Sequence, residues 1–331
     1  MVGAPIRGAG PSGAPVDTLL VDLSARIGTT KVPTPIFTAS GCAASGKELD
    51  QFFDIAAIGG IVTKSIMLEP RSGRATPRMA ETPSGMLNGI GLQGPGIDEF
   101  IENDLAWLHQ RKARTVVSIA GKTVEEYGKL ARRLREFDWL TAVEVNISCP
   151  NVESRGQVFA CDPAASAAAI TEARRALNGN TPIIAKLTPD VTDITSIAGA
   201  VVDAGADGVA MINTLLGMVI DLDKMRPVLS GGTGGLSGPA IRPVAVRAIW
   251  QVHAAMPNLP ILGMGGVRSG KDALELILAG ASAVSIGTSI FNDPSAPWRI
   301  QRELRDELGG RGFAKLSDAV GYAHTRFEAE L

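Results

Sequence analysis

A chain of 331 residues, 45% hydrophobic and 20% charged with 38 glycines, is long enough to bury a large core and too apolar and turn-rich for a disordered or fibrous protein. Its formal net charge is −2 and no run of Lys or Arg forms a basic face, which argues against nucleic acid or an anionic membrane as the main partner. No stretch approaches the roughly 18 apolar residues of a membrane span. Residues 1–16, rich in Gly and Pro and without the apolar centre of a signal peptide, read as a flexible leader, leaving 17–331 as a single domain.

From there, short β-branched or apolar runs alternate with amphipathic stretches. Strands are expected at 35–39, 60–64, 115–119, 142–147, 182–187, 208–212, 260–263 and 283–286. Helices are expected at 97–110, 124–136, 164–177, 194–204, 240–255 and 271–279, with a further helical pattern after Ser289. Strands alternating with helices of this length predict parallel βαβ units. Eight right-handed units close into an α/β fold of the (β/α)8 TIM-barrel type. A doubly wound sheet is the alternative, but its glycine fingerprint is missing after the first strand, where the chain reads Ala39-Ser40-Gly41-Cys42. Long loops follow strands 2, 4 and 6, at 65–95, 148–162 and 213–237, at the strand ends where barrel enzymes place their chemistry.

Two glycine-rich turns, Gly263-Met264-Gly265-Gly266-Val267 and Ser285-Ile286-Gly287-Thr288-Ser289, follow the last two strands. Backbone N–H groups there come close to an anion, and these slots commonly hold a phosphate. With no Walker-type lysine, the pattern suggests a cofactor's phosphate such as that of FMN. Strand four runs into Asn146-Ile147-Ser148-Cys149-Pro150-Asn151, which places a thiol among amides just past a strand end. A thiol is more often a small buried hydrophobe, but in a closed site it acts as a proton-transferring base. Lys64 and Lys186 fall at or within strands, where lysine is rare unless paired, and so suggest an interior anionic ligand. Asn88, Asn146, Asn151 and Asn213 together offer donors and acceptors to a ring bearing carbonyl and N–H groups.

Cys42, Cys149 and Cys161 are odd in number and scattered, and His109, His253 and His324 have no ligand spacing. No disulfide framework, iron–sulfur site or other metal site is expected, and a cytoplasmic, reducing setting is.

At these residues the chain resembles the class 1 dihydroorotate dehydrogenases, most closely the NAD-linked 1B branch. The likeness runs from Leu19 to Pro294 and is sharpest at Ala39-Ser40-Gly41, Thr63-Lys64-Ser65, residues 88–92 and 146–152, Asn213-Thr214, residues 234–240 and 263–267, and Ile286-Gly287-Thr288. The resemblance implies an FMN-binding barrel that oxidises dihydroorotate to orotate in pyrimidine biosynthesis. Cys149 matches the base that takes a proton from C5 while a hydride leaves C6 for flavin N5. Lys64, Asn88, Gly89, Ile90, Gly91, Leu92, Asn146, Asn151, Asn213 and Thr214 match substrate positions. Ser40, Lys64, Ser65, Asn146, Lys186, Ile212, Gly238, Gly265, Gly266, Gly287 and Thr288 match FMN positions. It further implies a homodimer core in a heterotetramer with a subunit carrying FAD and a [2Fe–2S] cluster; fumarate as acceptor would place the chain in the 1A branch.

Ser118 stands where the family usually has Asn, which puts one flavin contact in doubt, and Cys161, usually Thr, reads as structural. The other readings are a dihydropyrimidine dehydrogenase-type FMN barrel, disfavoured by Asn151, and a non-catalytic flavin- or phosphate-binding barrel.

Overall fold

A computed structural model describes residues 14–148 and 161–328; Cys149, Pro150 and Asn151 lie outside the described residues. Eight strands, β1 (Ile36–Thr38), β2 (Ile61–Val62), β3 (Thr115–Ile119), β4 (Ala142–Asn146), β5 (Ile183–Lys186), β6 (Gly208–Met211), β7 (Ile261–Met264) and β8 (Ala283–Ile286), pair in parallel in the order β1-β8-β7-β6-β5-β4-β3-β2. The ring closes between β1 and β2, where Gly59 N–H donates to Ile36 O at 2.7 Å and Thr38 N–H to Gly60 O at 3.2 Å. Glycine is required at that seam. A Cβ on Gly60 would stand 2.7 Å from Arg114 O and 2.8 Å from the buried Phe37 ring. The result is the expected (β/α)8 barrel.

All residues of the eight strands are buried, because side chains fill the barrel inside and helices cover it outside. The helices begin where the sequence offers capping oxygens. Thr123 caps Val124–Leu134, Asp162 caps Pro163–Ala176, Asp193 caps Ile194–Asp203 and Ser269 caps Gly270–Leu278, each accepting backbone N–H bonds of its first turn. The expected helix at 97–110 is present but not uniform: Ile97–Glu99 runs through a π-helical stretch, Phe100–Leu105, into Ala106–Gln110. The pattern after Ser289 becomes a short helix, Ser289–Asn292, and a long one, Ala296–Gly310, which buries Ile300, Leu304 and Leu308 at helical spacing.

The long loops expected after β2 and β6 hold strands of their own. Met79–Thr82 pairs with Gly85–Asn88, which pairs with Gly234–Ser237, which pairs in turn with Leu215–Gly217, in an antiparallel four-stranded sheet. The pairing needs small residues at its crossing points. A Cβ on Gly85 would meet Ser237 O at 2.0 Å, and one on Gly235 would meet Thr214 Oγ1 at 2.0 Å. Residues of this sheet, Asn88, Gly234 and Gly235 among them, wall the cavity at the C-terminal ends of the barrel strands.

Candidate active site

The barrel's parallel strands all end at the same mouth, so the residue types that follow them meet there. A cavity of about 1680 Å³ opens at that mouth. Ordinary ligand pockets hold about 300–1,000 Å³, so there is room here for a cofactor and a small substrate together. Every sequence-predicted residue that lies within the described chain lines it. Ser40 follows β1, Lys64 and Ser65 follow β2, Asn146 and Lys186 end β4 and β5, and Ile212, Asn213 and Thr214 follow β6. Residues 88–92 come from the loop after β2, and Gly238, Gly265, Gly266, Gly287 and Thr288 complete the wall. Cys149 and Asn151 fall outside the described residues.

Strand alternation decides what faces inward. On β4, Val143 and Val145 alternate with Glu144 and Asn146, and register sets Ser118 of β3 beside Glu144 and Lys186 of β5 beside Asn146. The polar set forms one continuous network. Asn146 Nδ2 donates to Ser65 Oγ at 2.9 Å, while its Oδ1 accepts from Ser148 N–H at 3.2 Å and from Asn213 Nδ2 at 3.5 Å. With both ends of the amide engaged, its orientation is fixed. Ser65 Oγ lies 3.3 Å from Ser40 Oγ and 2.8 Å from Ser118 Oγ, and Ser118 donates to Glu144 Oε1 at 2.8 Å. Lys186 Nζ stands 3.8 Å from the same carboxylate oxygen, with the side chains 5% and 0% exposed. Lys64, expected to end a strand, sits two residues beyond β2 and is only half-buried. Across the mouth, Asn88 Nδ2 donates to Gly235 O at 3.3 Å and Thr288 Oγ1 to Ser237 Oγ at 2.8 Å.

The glycine turns have the geometry of an anion cradle. Gly265 and Gly266 have φ of +132° and +74°, which L side chains rarely adopt, and both face the cavity beside Gly287 and Thr288. A Cβ at either would press on neighbouring protein atoms, 2.8 Å from Ala245 Cβ at Gly265 and 2.8 Å from Gly238 O at Gly266, so glycine is what lets the turn keep this shape at the cavity wall.

Sequence reasoning passed over two residues. Glu144 is a fully buried carboxylate, which the sequence signals as a charged residue within a largely apolar strand. Cys42 lines the cavity; enclosure pushes its thiol up to about 11, although the charges of Lys186 and Lys64 pull the other way. Two readings need correction or completion. Ser118 does not line the cavity but stands behind Ser65, bonded to it. Cys161, expected to be structural, is exposed at the cavity wall with Sγ 3.8 Å from Asp190 O, and is no part of the core. Among the described residues, no group of three His, Cys, Asp or Glu is placed to hold a metal ion, and no helix is long and apolar enough to cross a membrane.

Fold and site together define a barrel enzyme with its chemistry at the C-terminal mouth. The chain belongs to the dihydroorotate dehydrogenase family, whose sequence model matches residues 22–308. It is 47% identical over 300 residues to a Geobacter protein (strain M21) described as dihydroorotate dehydrogenase B (NAD(+)), catalytic subunit, covering 91% of this chain and 97% of that one. Proteins of the same description from Geotalea daltonii (48% over 300 residues, 91% and 97% covered) and Desulforamulus reducens (47% over 306 residues, 92% and 99% covered) are similar to it over the same span. Family membership makes the chain an oxidoreductase of the flavin-dependent kind.

Proposed function

We propose that the chain oxidises dihydroorotate to orotate in pyrimidine biosynthesis, with FMN as its flavin, acting in the cytoplasm as a single barrel domain over residues 17–331. The observation that carries this reading is the convergence of Lys64, Lys186, Asn88, Asn146, Asn213 and the Gly265-Gly266 turn on one cavity. A ring with a phosphate tail suits that arrangement: cradle at one end, amides and hydroxyls at the other. Bound FMN would supply an acceptor for the hydride that leaves C6 of the substrate.

The chain's own residues do the rest. Gly265, Gly266, Gly287 and Thr288 hold the phosphate through backbone N–H groups. Ser40, Ser65, Asn146, Ile212, Gly238 and Lys186 hold the ring system, and the Lys186 ammonium favours negative charge gathering beside it. Lys64, Asn88, Gly89, Ile90, Gly91, Leu92, Asn146, Asn151, Asn213 and Thr214 hold the substrate. Cys149 removes the C5 proton, and substrate binding over the mouth excludes the water that would otherwise compete for it. A partner subunit carrying FAD and a [2Fe–2S] cluster, bound to a homodimer of these barrels, would supply the exit for the electrons; the relatives' description as catalytic subunits of an NAD-linked enzyme supports that reading.

Anaerobic addition of dihydroorotate to the FMN-loaded chain tests the proposal. The oxidised-flavin absorbance should bleach, with turnover on an artificial dye but not on NAD+ until the partner is added. Bleaching by dihydrouracil alone would favour the dihydropyrimidine reading, and bleaching by neither would leave only a binding protein.

A further inference from the structure

Behind the cavity floor lies a carboxylate that the proposed chemistry does not use. Glu144 is 0% exposed in the middle of β4; its Oε1 accepts from Ser118 and faces Lys186, and its Oε2 has no hydrogen-bond partner among the described residues. Burying a carboxylate is costly unless a counter-charge offsets it, and an amide or a leucine would fill much the same volume without that cost. Packing therefore does not account for the charge.

The hydrogen-bond directions follow from it. A carboxylate only accepts, so Ser118 gives its single proton to Glu144. Ser118 Oγ must then accept at its 2.8 Å contact with Ser65, which makes Ser65 the donor there. With the Ser65 proton committed, the 3.3 Å contact to Ser40 takes the proton of Ser40. Asn146 Nδ2 donates to the same Ser65 oxygen. All three hydroxyl protons point inward toward Glu144, and Ser40, on the cavity wall, is left with lone pairs.

We propose that Glu144 is the positioning residue of this site: it sets a counter-charge against Lys186 beneath the cavity and aligns the Ser40, Ser65 and Ser118 hydroxyls so that Ser40 accepts hydrogen bonds from the bound ring. The inference rests on the flavin reading above for its ligand, but not for its electrostatics. Among the described residues, other ionisable groups share the cavity with Lys186. Lys64 comes from the loop after β2, Cys42 from the turn after β1 and Asp190 from beyond β5, while β6, paired to β5 on its other side, offers only Gly208, Val209, Ala210 and Met211.

The first measurement needs no flavin. Glu144→Gln leaves the Lys186 ammonium buried without its counter-charge, so the folded state favours neutral lysine and is penalised most at low pH. The thermal-stability deficit of Glu144→Gln against wild type should shrink as pH rises from about 6 to about 9. In a Lys186→Gln background that pH dependence should vanish. The second measurement uses FMN. The preference of Glu144→Gln for reduced over oxidised flavin, divided by that of wild type, should fall roughly tenfold over the same pH range, as an unpaired Lys186 loses its proton. Ser118→Ala, which cuts the hydroxyl row but keeps the ion pair, should weaken flavin binding severalfold at every pH.

A stability deficit and a flavin preference that both ignore pH would reduce Glu144 to a structural residue and overturn the proposal. Unchanged flavin affinity in Ser118→Ala would overturn the alignment of the hydroxyls. Should Glu144→Gln fail to fold, Glu144→Asp keeps the charge but withdraws it by one methylene, and must show smaller shifts of the same sign; an Asp variant tracking wild type at every pH refutes the proposal too. A wild-type chain that binds no flavin sinks the functional reading instead, a result that the flavin-free titration keeps separate.

Discussion

The phosphate cradle offers the sharpest test of how the backbone shapes this site, through Gly266→Ala. Gly266 has φ of +74°, and an added Cβ would stand 2.8 Å from Gly238 O, 2.9 Å from Arg242 Cβ and 3.1 Å from Pro239 Cα. Gly238 has little room to retreat, since its own Cβ position lies 2.6 Å from Gly85 Cα in the sheet over the mouth. Left-handed backbone at a non-glycine residue costs about 1–2 kcal/mol, and overpacking adds about 1–3 kcal/mol, so the variant should lose roughly 2–5 kcal/mol. In a chain of this size that lowers Tm by roughly 3–7 °C. Because Gly238 and Gly265 line the same wall, the strain should also displace the N–H groups proposed to hold the FMN phosphate. FMN affinity should fall at least about tenfold, equivalent to about 1.4 kcal/mol. Thermal unfolding of the flavin-free chain and fluorescence titration with FMN measure the two effects. The control is Gly199→Ala, within the helix Ile194–Asp203, where a new Cβ meets nothing within 4 Å; it should stabilise by about 0.4–1 kcal/mol. A Gly266→Ala chain with wild-type Tm and wild-type FMN affinity would refute the cradle.

Three further outcomes are expected. Cys149→Ala should leave FMN bound but slow its reduction by dihydroorotate about 10²-fold or more, and Cys149→Ser should regain rate only at higher pH; stopped-flow absorbance decides. The folded state holds the Cys42 thiol up at about 11 against an ordinary 9.0, so its contribution to stability is fully present below pH 9.0 and is lost as pH rises through about 11; Cys42→Ala should flatten that alkaline loss in Tm-against-pH profiles. Burial, with the neighbouring His324, holds His253 below its ordinary 6.5, and its buried Nδ1 has no hydrogen-bond partner among the described residues; stability should therefore fall as pH drops below 6.5, and fall less in His253→Leu, as read by the same profiles.

How much of this was legible in the sequence depends on whether the signal is local. The barrel strands announce themselves as short apolar runs, and the edges of β3 and β8 match expectation residue for residue. The antiparallel sheet over the mouth does not. Its strands are three or four residues long and glycine-rich, and Asn88 finds Gly235 across 147 residues of chain, a partnership that no periodicity encodes. The site divides in the same way. Lys64, Asn146, Lys186 and Asn213 are polar residues at strand ends, a position that barrel topology alone converts into a shared cavity. Glu144 was as visible as any of them, yet its role is set by Ser118 and Lys186 from the two neighbouring strands, so it takes register to assign it. One local clue did exist. Helices cover the outside of this barrel, so outward strand positions must be apolar, and any polar residues two apart on one strand must point inward. Glu144 and Asn146 are such a pair, flanking Val145 in Ala142-Val143-Glu144-Val145-Asn146. With Asn146 on the cavity wall, that alternation places the carboxylate at 144 one layer deeper on the same strand face, within reach of Lys186.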